Sequence, residues 1–193
     1  MNKEKIQQFF DELAPSWDAD MIRDDGIIGK ILDGAEVGPG KHVLDVACGT
    51  GVLFGDYLQR GVGSVTAVDI SPEMVKIARG KFPEQIQVLL GDAEKLDFGK
   101  KFHCILVYNA FPHFPDPENL IRVLSGWLEE GGTLTVAHGM SRAAIDRHHE
   151  GAASPVSRGL LHEDRLAEIF EKYLQLTVKI SDDRMYQVTG RKA

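Results

Sequence analysis

The stretch HVLDVACGTGVLFGDYL, from His42 to Leu58, runs from an apolar, β-branched segment directly into a glycine-rich turn. A strand that ends in such a turn and continues into a helical pattern brings backbone N–H groups, instead of side chains, close to a ligand. Ligands of several chemical classes are held in this way. The turn therefore predicts a binding site at the end of a strand and leaves the ligand open.

Short apolar runs alternate with helical patterns through the centre of the chain. The predicted strands are residues 42–47, 64–69, 86–90, 102–108 and 133–139. Apolar residues recur at helical spacing in the segments 52–60, 71–82 and 117–130. Because these strands are largely apolar on both faces, we expect a parallel sheet covered by helices on each side. The pattern predicts an α/β fold with a doubly wound, Rossmann-like sheet.

The beginning of the chain and one later stretch depart from this alternation. Residues 3–13 and about 22–32 have helical patterns, so residues 1–35 are expected to form an N-terminal helical cap that acts as a lid. Residues 140–161 contain a helical pattern followed by a Gly/Ala/Ser/Pro loop. This insertion follows the fifth strand, where loops shape a substrate site, so we expect it to shape the acceptor pocket.

The end of the chain predicts a hairpin. A helix over 162–173 is followed by strands over 174–181 and 184–191, and their short connection makes them antiparallel. The complete prediction is a single domain, residues 1–193. Its sheet is seven-stranded and mostly parallel, with an antiparallel C-terminal hairpin strand.

Composition narrows the range of partners. The 193 residues include 43% hydrophobic and 26% charged residues, and the formal net charge is −7. A negative charge without a run of lysine and arginine argues against nucleic acid, because that partner requires a basic face. No apolar run approaches the ~20 residues that span a bilayer, and the N-terminus lacks the apolar core of a signal peptide. We therefore expect a cytoplasmic protein, monomeric or homodimeric, that binds neither nucleic acid nor membranes.

The spacing of the glycines separates the ligand classes. A dinucleotide fingerprint has the pattern G-x-G-x-x-G. Here Gly49 and Gly51 are followed by a third glycine one position late, at Gly55. A nucleoside-triphosphate loop would end in Gly-Lys-Ser/Thr, which this chain lacks. On the turn alone, the choice of cofactor stays open.

Three aspartates add information. Asp45 lies inside the first predicted strand, where a buried carboxylate is costly unless it meets a cation or fixed donors. The ammonium group of an amino acid would satisfy it. Asp69 ends the second strand, where a carboxylate can accept both hydroxyls of a ribose. Asp92 follows the third strand, in position for the exocyclic amine of an adenine. The three fit a ligand with a nucleoside at one end and a charged amino acid at the other.

Four motifs carry a family resemblance. VLDVACGTG, AVDISPEM, GDAEKLDF and YNAFPHF, in this order, resemble motifs I to IV of the class I S-adenosylmethionine-dependent methyltransferases. The opening FFDELAPSWD is similar to the N-terminal segment of small-molecule members such as quinone-biosynthesis methyltransferases. The resemblance covers about residues 5–192 and implies S-adenosylmethionine as the cofactor. It says little about the acceptor.

Carried over position by position, the resemblance implies residues at both ends of the cofactor. Those at the methionine end are Asp45, Ala47, Gly49 and Gly51, with the backbone carbonyl of Asn109 near the amino group. Those at the nucleoside end are Asp69 for the ribose and Ile70, Met74, Asp92 and Ala93 for the adenine. Trp17 would cover the cofactor from the N-terminal helices. The alternative for Met74 and Trp17 is a role in packing alone.

Histidines are the candidate catalytic residues. Methyl transfer needs alignment of donor and acceptor, and a base only if the nucleophile still carries its proton. His113, His138 and His149 are the candidates for that base. In an alternative, His113, His138 and either His148 or His149 gather a divalent metal that orients the acceptor. In a third interpretation, His113 and His138 only shape the pocket through hydrogen bonds.

Two further function classes stay open: a non-catalytic regulatory protein that binds S-adenosylmethionine, and an oxidoreductase that binds NAD. Residues 109–112 read Asn-Ala-Phe-Pro, which departs from the Asn-Pro-Pro-aromatic tetrad of methyltransferases acting on DNA bases or protein glutamine. The sequence therefore favours a small-molecule acceptor with an oxygen, nitrogen, sulfur or carbon nucleophile. Phe111, Phe114 and Trp17 could form an apolar wall for an aromatic or quinone-like ring.

Overall fold

A computed structural model describes residues 1–149 and 154–193 of the chain. Its strands are β1 (His42–Val46), β2 (Ser64–Asp69), β3 (Ile86–Leu90), β4 (Phe102–Tyr108), β5 (Leu128–His138), β6 (Gln175–Ser181) and β7 (Tyr186–Arg191). In the described ranges they form one seven-stranded sheet in the order β3-β2-β1-β4-β5-β7-β6. The first five strands pair in parallel, and β7 runs antiparallel between β5 and β6. The predicted fold class is confirmed.

The helices are α1 (Lys3–Leu13), α2 (Trp17–Asp20), α3 (Asp25–Gly34), α4 (Phe54–Gln59), α5 (Pro72–Arg79), α6 (Pro117–Gly126), α7 (Arg142–His149) and α8 (Glu163–Glu171). Short 3-10 turns occupy Phe111–His113 and Ser154–Val156. The start of α5 follows from its sequence. The Ser71 side chain accepts the Met74 N–H, and Pro72, which has no N–H to satisfy, is the first helical residue. In the described part of the chain, no helix is both long and apolar enough to cross a bilayer.

Both faces of the sheet are buried. Successive side chains of a strand point to opposite faces. Val43 accordingly packs in one core cluster, and Leu44 and Val46 pack in the other. Helix α3 contributes Ile31 and Leu32 to the cluster that contains Val43, so this helix packs directly on the sheet. A sheet covered on both faces exposes its functional groups mainly at the strand ends.

The boundary between α6 and β5 differs from the prediction. Leu120, Leu124 and Leu128 recur every four residues, which favoured a helix as far as residue 130. Instead, the helix ends at Gly126 and the strand begins at Leu128, which pairs with Phe102 of β4. Leu128 is fully buried in this strand, so its apolar side chain is satisfied without the helix. Leu128 therefore belongs to a strand because it pairs with β4, although the local periodicity predicts a helix at this position.

Candidate active site

A cavity opens at the carboxyl ends of the central strands. There the order reverses, since β2 lies on one side of β1 and β4 on the other, and open α/β sheets bind their ligands at such a point. The predicted site residues that line the cavity are Trp17, Ala47, Gly49, Asp69, Ile70, Met74, Asp92, Ala93, Asn109 and His113. Residues from the N-terminal helices close its other side, among them Ile6 and Phe10.

The glycine turn has an unusual backbone. Ala47, Gly49 and Gly51 have φ angles of 55°, 55° and 86°, in the left-handed region that favours glycine. A side chain at Gly51 would also place its Cβ 2.5 Å from the ring of Phe54. Gly51 is not among the residues that line the cavity. The structure therefore explains this glycine by the close packing of α4 against the turn.

Asp69, the last residue of β2, forms a hydrogen bond with the glycine turn. One carboxylate oxygen accepts the Gly49 N–H at 2.8 Å, and the other accepts the Ser71 N–H at 2.9 Å. Burial raises the pKa of Asp69, while these backbone donors lower it in part. Both oxygens are thus fixed at the edge of the cavity, and each keeps a lone pair for a further donor.

Asp45 is a deeply buried acid with a strongly raised pKa. It is 2% exposed, and burial, with a smaller contribution from Asp69, raises its pKa to about 8. The neighbouring Tyr57 hydroxyl opposes the rise, although the contact falls outside hydrogen-bond geometry and leaves Asp45 Oδ2 without a partner among the described residues. Asp45 lies behind the turn instead of in the cavity lining. A buried carboxyl that lacks a donor is suited to a nearby cation.

Asp92 is held by a lysine from the other side of the cavity. The Lys3 ammonium donates to Oδ1 and Oδ2 of Asp92 at 2.9 and 2.7 Å, and to Glu94 at 2.5 Å. Burial lowers the pKa of Lys3, but its bonds to the two acids raise it above the ordinary value overall. Local sequence carries no signal for this contact, because Lys3 and Asp92 are 89 positions apart.

Arg23 is a cavity residue that sequence reasoning missed. Its guanidinium donates to the Val52 carbonyl at 2.7 Å, to Asp56 at 2.7 Å and to Asp25 at 2.6 Å. Although burial lowers the pKa of Arg23, its bonds to Asp56 and Asp25 raise it above the ordinary value. A fixed cation thus lies beside the glycine turn. Its position in a short segment before α3 carries no recognisable pattern.

A row of aromatic rings crosses the cavity on the side of the N-terminal helices. The ring of Phe10 lies 5.8 Å from that of Trp17 and 4.9 Å from the imidazole of His113, in edge-to-face contact with both. A Cβ placed on Gly49 would lie 3.9 Å from Trp17 Nε1, so the indole covers the glycine turn. Of the residues expected to form an apolar wall, Trp17 and Phe114 line the cavity together with Phe10, whereas Phe111 is buried and outside the lining.

A hydrogen bond of His113 identifies which of its ring nitrogens carries the hydrogen. Nδ1 lies 2.8 Å from the carbonyl oxygen of Val156, which belongs to the insertion. A carbonyl only accepts, so Nδ1 carries the hydrogen and, in the neutral ring, Nε2 carries the lone pair. This is the form in which a histidine can accept a proton at Nε2. Of the two predicted catalytic histidines whose side chains the structure describes, His113 lies in the cavity lining and His138 does not.

Of the other candidates, His138 lies elsewhere. His138 is 2% exposed and absent from the cavity lining. The centroid of its ring lies 6.1 Å from that of Tyr186 in β7. The side chains of His148 and His149 lie outside the described residues. Within the described residues, no group of three or more His, Cys, Asp or Glu side chains is placed to hold a metal ion.

Asn109 ties the ends of two strands together. Its φ angle is 52°, and its side-chain oxygen accepts the Gly139 N–H at 3.0 Å. Its own N–H donates to the Ala137 carbonyl at 2.9 Å. These bonds fix the backbone at the point where β4 enters the cavity. The contact that the resemblance implies between the Asn109 carbonyl and the amino group of the cofactor can be tested by ligand binding.

The motifs at this site are shared with known enzymes. Residues 43–132 match the family model of a methyltransferase domain. A ubiquinone biosynthesis O-methyltransferase of Xanthomonas campestris pv. campestris (strain B100) is 37% identical over 101 residues, which are 50% of this chain and 42% of that protein. The central part of the chain is thus similar to methyltransferases.

Other methyltransferases resemble it more distantly. A demethylmenaquinone methyltransferase of Renibacterium salmoninarum (strain ATCC 33209) is 28% identical over 142 residues, covering 69% of this chain and 58% of that protein. The alignments thus span about half the length of these curated relatives. The N-methyltransferase NodS of Bradyrhizobium japonicum WM9, solved with S-adenosyl-L-homocysteine, shares the fold with a TM-score of 0.77 and 14% identity, over 96% of this chain and 97% of NodS.

The residues of this site fit S-adenosylmethionine, the cofactor that the resemblance implies. The cavity has two carboxylates, Asp69 and Asp92, with the apolar side chains of Ile70 and Met74 nearby, as a nucleoside requires. Around the glycine turn, the guanidinium of Arg23 suits an amino-acid carboxylate. The unpartnered Oδ2 of Asp45 suits an ammonium group, directly or through water. A ligand with a nucleoside at one end and an amino acid at the other therefore meets polar groups suited to each end.

Proposed function

We propose that the protein transfers the methyl group of S-adenosylmethionine to a hydroxyl group on a small, uncharged, ring-containing acceptor, with His113 as the general base. The observation that carries the proposal is that one cavity touches Asp69, Asp92 and His113. The cofactor motifs and a candidate base therefore face the same space. A base in that space can act on a nucleophile next to the methyl donor.

The cofactor would be held at both ends by side chains and backbone already fixed by the fold. Asp69 would accept the ribose hydroxyls, and Asp92 would accept the adenine amine. Arg23 would pair with the carboxylate of the methionine part, and Asp45 would face its ammonium. When bound, S-adenosylmethionine supplies a methyl group activated on a sulfonium. The protein has to align this group with the acceptor and exclude water.

The charges in the cavity favour an uncharged acceptor. The charged side chains among its described lining residues are Lys3, Arg23, Asp69 and Asp92. Lys3 pairs with Asp92, Arg23 pairs with Asp56, and Asp69 accepts two backbone N–H groups. An ammonium or phosphate group on the acceptor would have to compete with the cofactor for these same side chains. A neutral hydroxyl needs only a hydrogen-bond acceptor, which Nε2 of His113 provides.

The shape and neighbours of the acceptor end favour a ring. Phe10 and Phe114 line the cavity beside His113, and aromatic rings pack well against planar apolar groups. Two relatives carry names from quinone chemistry, a ubiquinone biosynthesis O-methyltransferase and a demethylmenaquinone methyltransferase. Both observations support an aromatic or quinone-like ring as the acceptor.

His113 would act at one defined atom. Nε2 would take the proton of the acceptor hydroxyl as that oxygen forms its bond to the methyl group that S-adenosylmethionine would supply, and the electron pair of the broken carbon–sulfur bond would go to sulfur. The imidazolium that forms keeps its Nδ1–H bond to the Val156 carbonyl, which stabilises the positive charge and holds the ring in place.

Binding and turnover test the proposal separately. Calorimetry with S-adenosylmethionine, S-adenosylhomocysteine and NADH should show binding of the first two compounds only. Turnover with a panel of phenols and hydroxyquinones should exceed turnover with primary amines, and a chelator should leave it unchanged. Binding of NADH without either sulfur compound would overturn the assignment. Cofactor binding without turnover on any ring hydroxyl would favour a regulatory protein, and activity restored only by a metal would favour the metal-assisted reaction.

A further inference from the structure

Two buried polar side chains lie next to each other behind the glycine turn. Asp45, in β1, is 2% exposed, and Tyr57, in α4, is fully buried. Neither belongs to the cavity lining. Among the described residues, Asp45 Oδ2 and the Tyr57 hydroxyl oxygen both lack a hydrogen-bond partner. A buried polar atom without a partner is costly, so two such atoms side by side point to a role beyond packing.

The fold sets both side chains on one face of the sheet. Side chains alternate along a strand, so Asp45 points to the same face as Val43, two residues before it. Val43 and Tyr57 belong to one core cluster. Within the sheet, Asp45 lies between Ala67 of β2 and Leu106 of β4. Its carboxyl group is therefore set in largely apolar surroundings.

Within the described residues, the groups that act electrostatically on Asp45 include no cation. They are Tyr57 from α4 and Asp69 at the end of β2. Asp45 acts in turn on the thiol of Cys48 in the glycine turn. The residues that the helices α3 and α5 contribute to this cluster are apolar: Ile27, Ile28, Ile31, Leu32, Val75 and Ala78.

Two charged groups lie one step further out. Asp56 acts on Tyr57, and Lys81 acts on Cys48. Each of the two is engaged with an opposite charge, at 2.7 and 2.8 Å respectively. A carboxylate at Asp45 would thus be buried without a partner of opposite charge, which is costly. The carboxyl group is accordingly neutral as long as no cation is bound nearby, and its raised pKa agrees with this.

Tyr57 is suited to hold Asp45 once that residue is ionised. Burial, with a contribution from Asp45, raises the pKa of the Tyr57 hydroxyl, so the hydroxyl keeps its hydrogen at neutral pH. A phenol O–H donates and a carboxylate oxygen accepts. Such charge-assisted bonds are shorter and stronger than bonds between neutral groups. The two atoms that lack partners can therefore become partners of each other when a negative charge forms.

Positive charge can reach Asp45 from the cavity across the glycine turn. Ala47, Cys48 and Gly49, which follow Asp45 closely in sequence, line the cavity. Of the described residues, a Cβ placed on Gly49 would meet only Trp17 Nε1 within 4 Å, so a ligand can approach this backbone closely. Electrostatic attraction is stronger in buried surroundings than in water. An ammonium group bound against the turn would thus favour the ionised form of Asp45, directly or through water.

We propose that Asp45 loses its proton to solvent when the amino-acid end of S-adenosylmethionine occupies the cavity, and that Tyr57 then donates to the new carboxylate and positions it toward the cofactor ammonium. The inference rests on the proposed function, because it requires this cofactor. It makes Tyr57 a positioning residue, and it makes cofactor binding a step that releases a proton.

The proton is accounted for in this step. The O–H bond of the Asp45 carboxyl breaks and the proton passes to water, while the ammonium group and the Tyr57 hydroxyl keep their hydrogens. Since the protein without cofactor holds this proton and the complex does not, affinity rises with pH. The rise should end near the pKa of Asp45, about 8. A ligand without an ammonium group should bind without releasing a proton.

Calorimetry of S-adenosylhomocysteine binding in phosphate and in Bis-Tris, two buffers with different ionisation enthalpies, counts the released protons. At pH 6.5 the wild type should release about one proton per ligand, and its association constant should rise roughly tenfold per pH unit between pH 5.5 and 7.5. The ligand control is 5′-methylthioadenosine, which has the same nucleoside without the amino acid and should release no proton. Asp45→Asn should release none with either ligand.

Tyr57→Phe tests the positioning role. It should weaken S-adenosylhomocysteine binding at least about tenfold, as for a lost hydrogen bond to a charged group, and should flatten the rise of affinity with pH. Its affinity for 5′-methylthioadenosine should stay at the wild-type value, which a loss of packing would not permit. The matched control is Tyr186→Phe, since that hydroxyl is also buried without a partner among the described residues but lies in β7 beside His138. This control should match the wild type in every measurement.

Equal binding enthalpies in the two buffers, or proton release that persists in Asp45→Asn, would overturn the inference. Wild-type affinity and pH profile in Tyr57→Phe would overturn the role of Tyr57. Infrared difference spectra need no tyrosine variant: the band of a protonated carboxyl should disappear when the wild type binds the ligand, and Asp45→Asn should lack this change. Failure of the wild type to bind S-adenosylhomocysteine would overturn the proposed function as well, whereas binding without proton release would overturn this inference alone.

Discussion

Nδ1 of His113 lies 2.8 Å from the carbonyl oxygen of Val156, and this bond connects the 3-10 turn after β4 with the insertion that follows β5. It assigns the ring hydrogen to Nδ1, so Nε2 is the atom at which the proposed base would act. It also gives the insertion a function, since that segment orients a cavity residue. His113 is further held by the ring of Phe10, so three separate parts of the chain fix one imidazole.

Replacing His113 with alanine should lower the turnover number by about 10²- to 10⁴-fold, the range for loss of a general base. The affinity for S-adenosylhomocysteine should change little, because the acids and the glycine turn that hold the cofactor are retained. Single-turnover kinetics and calorimetry measure the two quantities. His103→Ala, at the opposite end of β4, is the matched control. Equal loss of turnover in both variants, or full activity of His113→Ala, would remove His113 from the reaction.

Replacing Asp69 with alanine should mainly weaken cofactor binding, whereas replacing His113 should mainly lower the turnover number. Its carboxylate anchors the Gly49 N–H, so its loss removes a ribose acceptor and releases the glycine turn. We expect at least about a tenfold rise in the dissociation constant, as for the loss of hydrogen bonds to a charged group. Asp69→Asn, which keeps one acceptor oxygen, should lie between alanine and wild type in calorimetry. Unchanged affinity in Asp69→Ala would contradict the assignment.

The parts of the site that could be predicted from the sequence are those fixed by neighbouring strand ends. In a parallel sheet the carboxyl ends meet at one edge, so Gly49, Asp69 and Asp92 reach a single cavity because each lies at or just after the carboxyl end of one of the parallel strands β1, β2 and β3. No comparable rule applies to Arg23 or Lys3. Each lies in a segment outside the sheet, and its partners in the cavity are too distant in sequence for a local pattern to predict the contact.

His138 illustrates the reverse situation. It ends a central strand, as Asp69 does, and the sequence therefore placed it at the cavity. In the structure the antiparallel strand β7 pairs with β5 so that Tyr186 lies opposite His138. The histidine is covered by that ring. The register of an antiparallel strand from the far end of the chain decides this burial, and local sequence does not specify that register.

Asp45 should make the stability of the cofactor-free protein depend on pH. Its pKa of about 8 in the folded state lies above the ordinary value of 3.8, so the folded protein binds more protons between these values and its stability falls as pH rises through the window. The unfolding free energy of Asp45→Asn minus that of the wild type should increase by roughly 2–4 kcal/mol between pH 5 and pH 8. Urea unfolding at several pH values measures the difference. A difference that stays constant with pH would show that Asp45 does not titrate there.

The two later glycines of the opening stretch should respond in opposite directions to alanine. Gly51 has a φ of 86°, and a Cβ there would lie 2.5 Å from the Phe54 ring. Gly51→Ala should therefore cost about 1–3 kcal/mol of unfolding free energy through strain and overpacking. Gly55 lies inside α4, and a Cβ added to it would meet no atom within 4 Å. Gly55→Ala should stabilise the protein by about 0.5–1 kcal/mol, the difference in helix propensity. Urea unfolding of both variants provides the test, and a destabilised Gly55→Ala would mean that the third glycine is needed for packing after all.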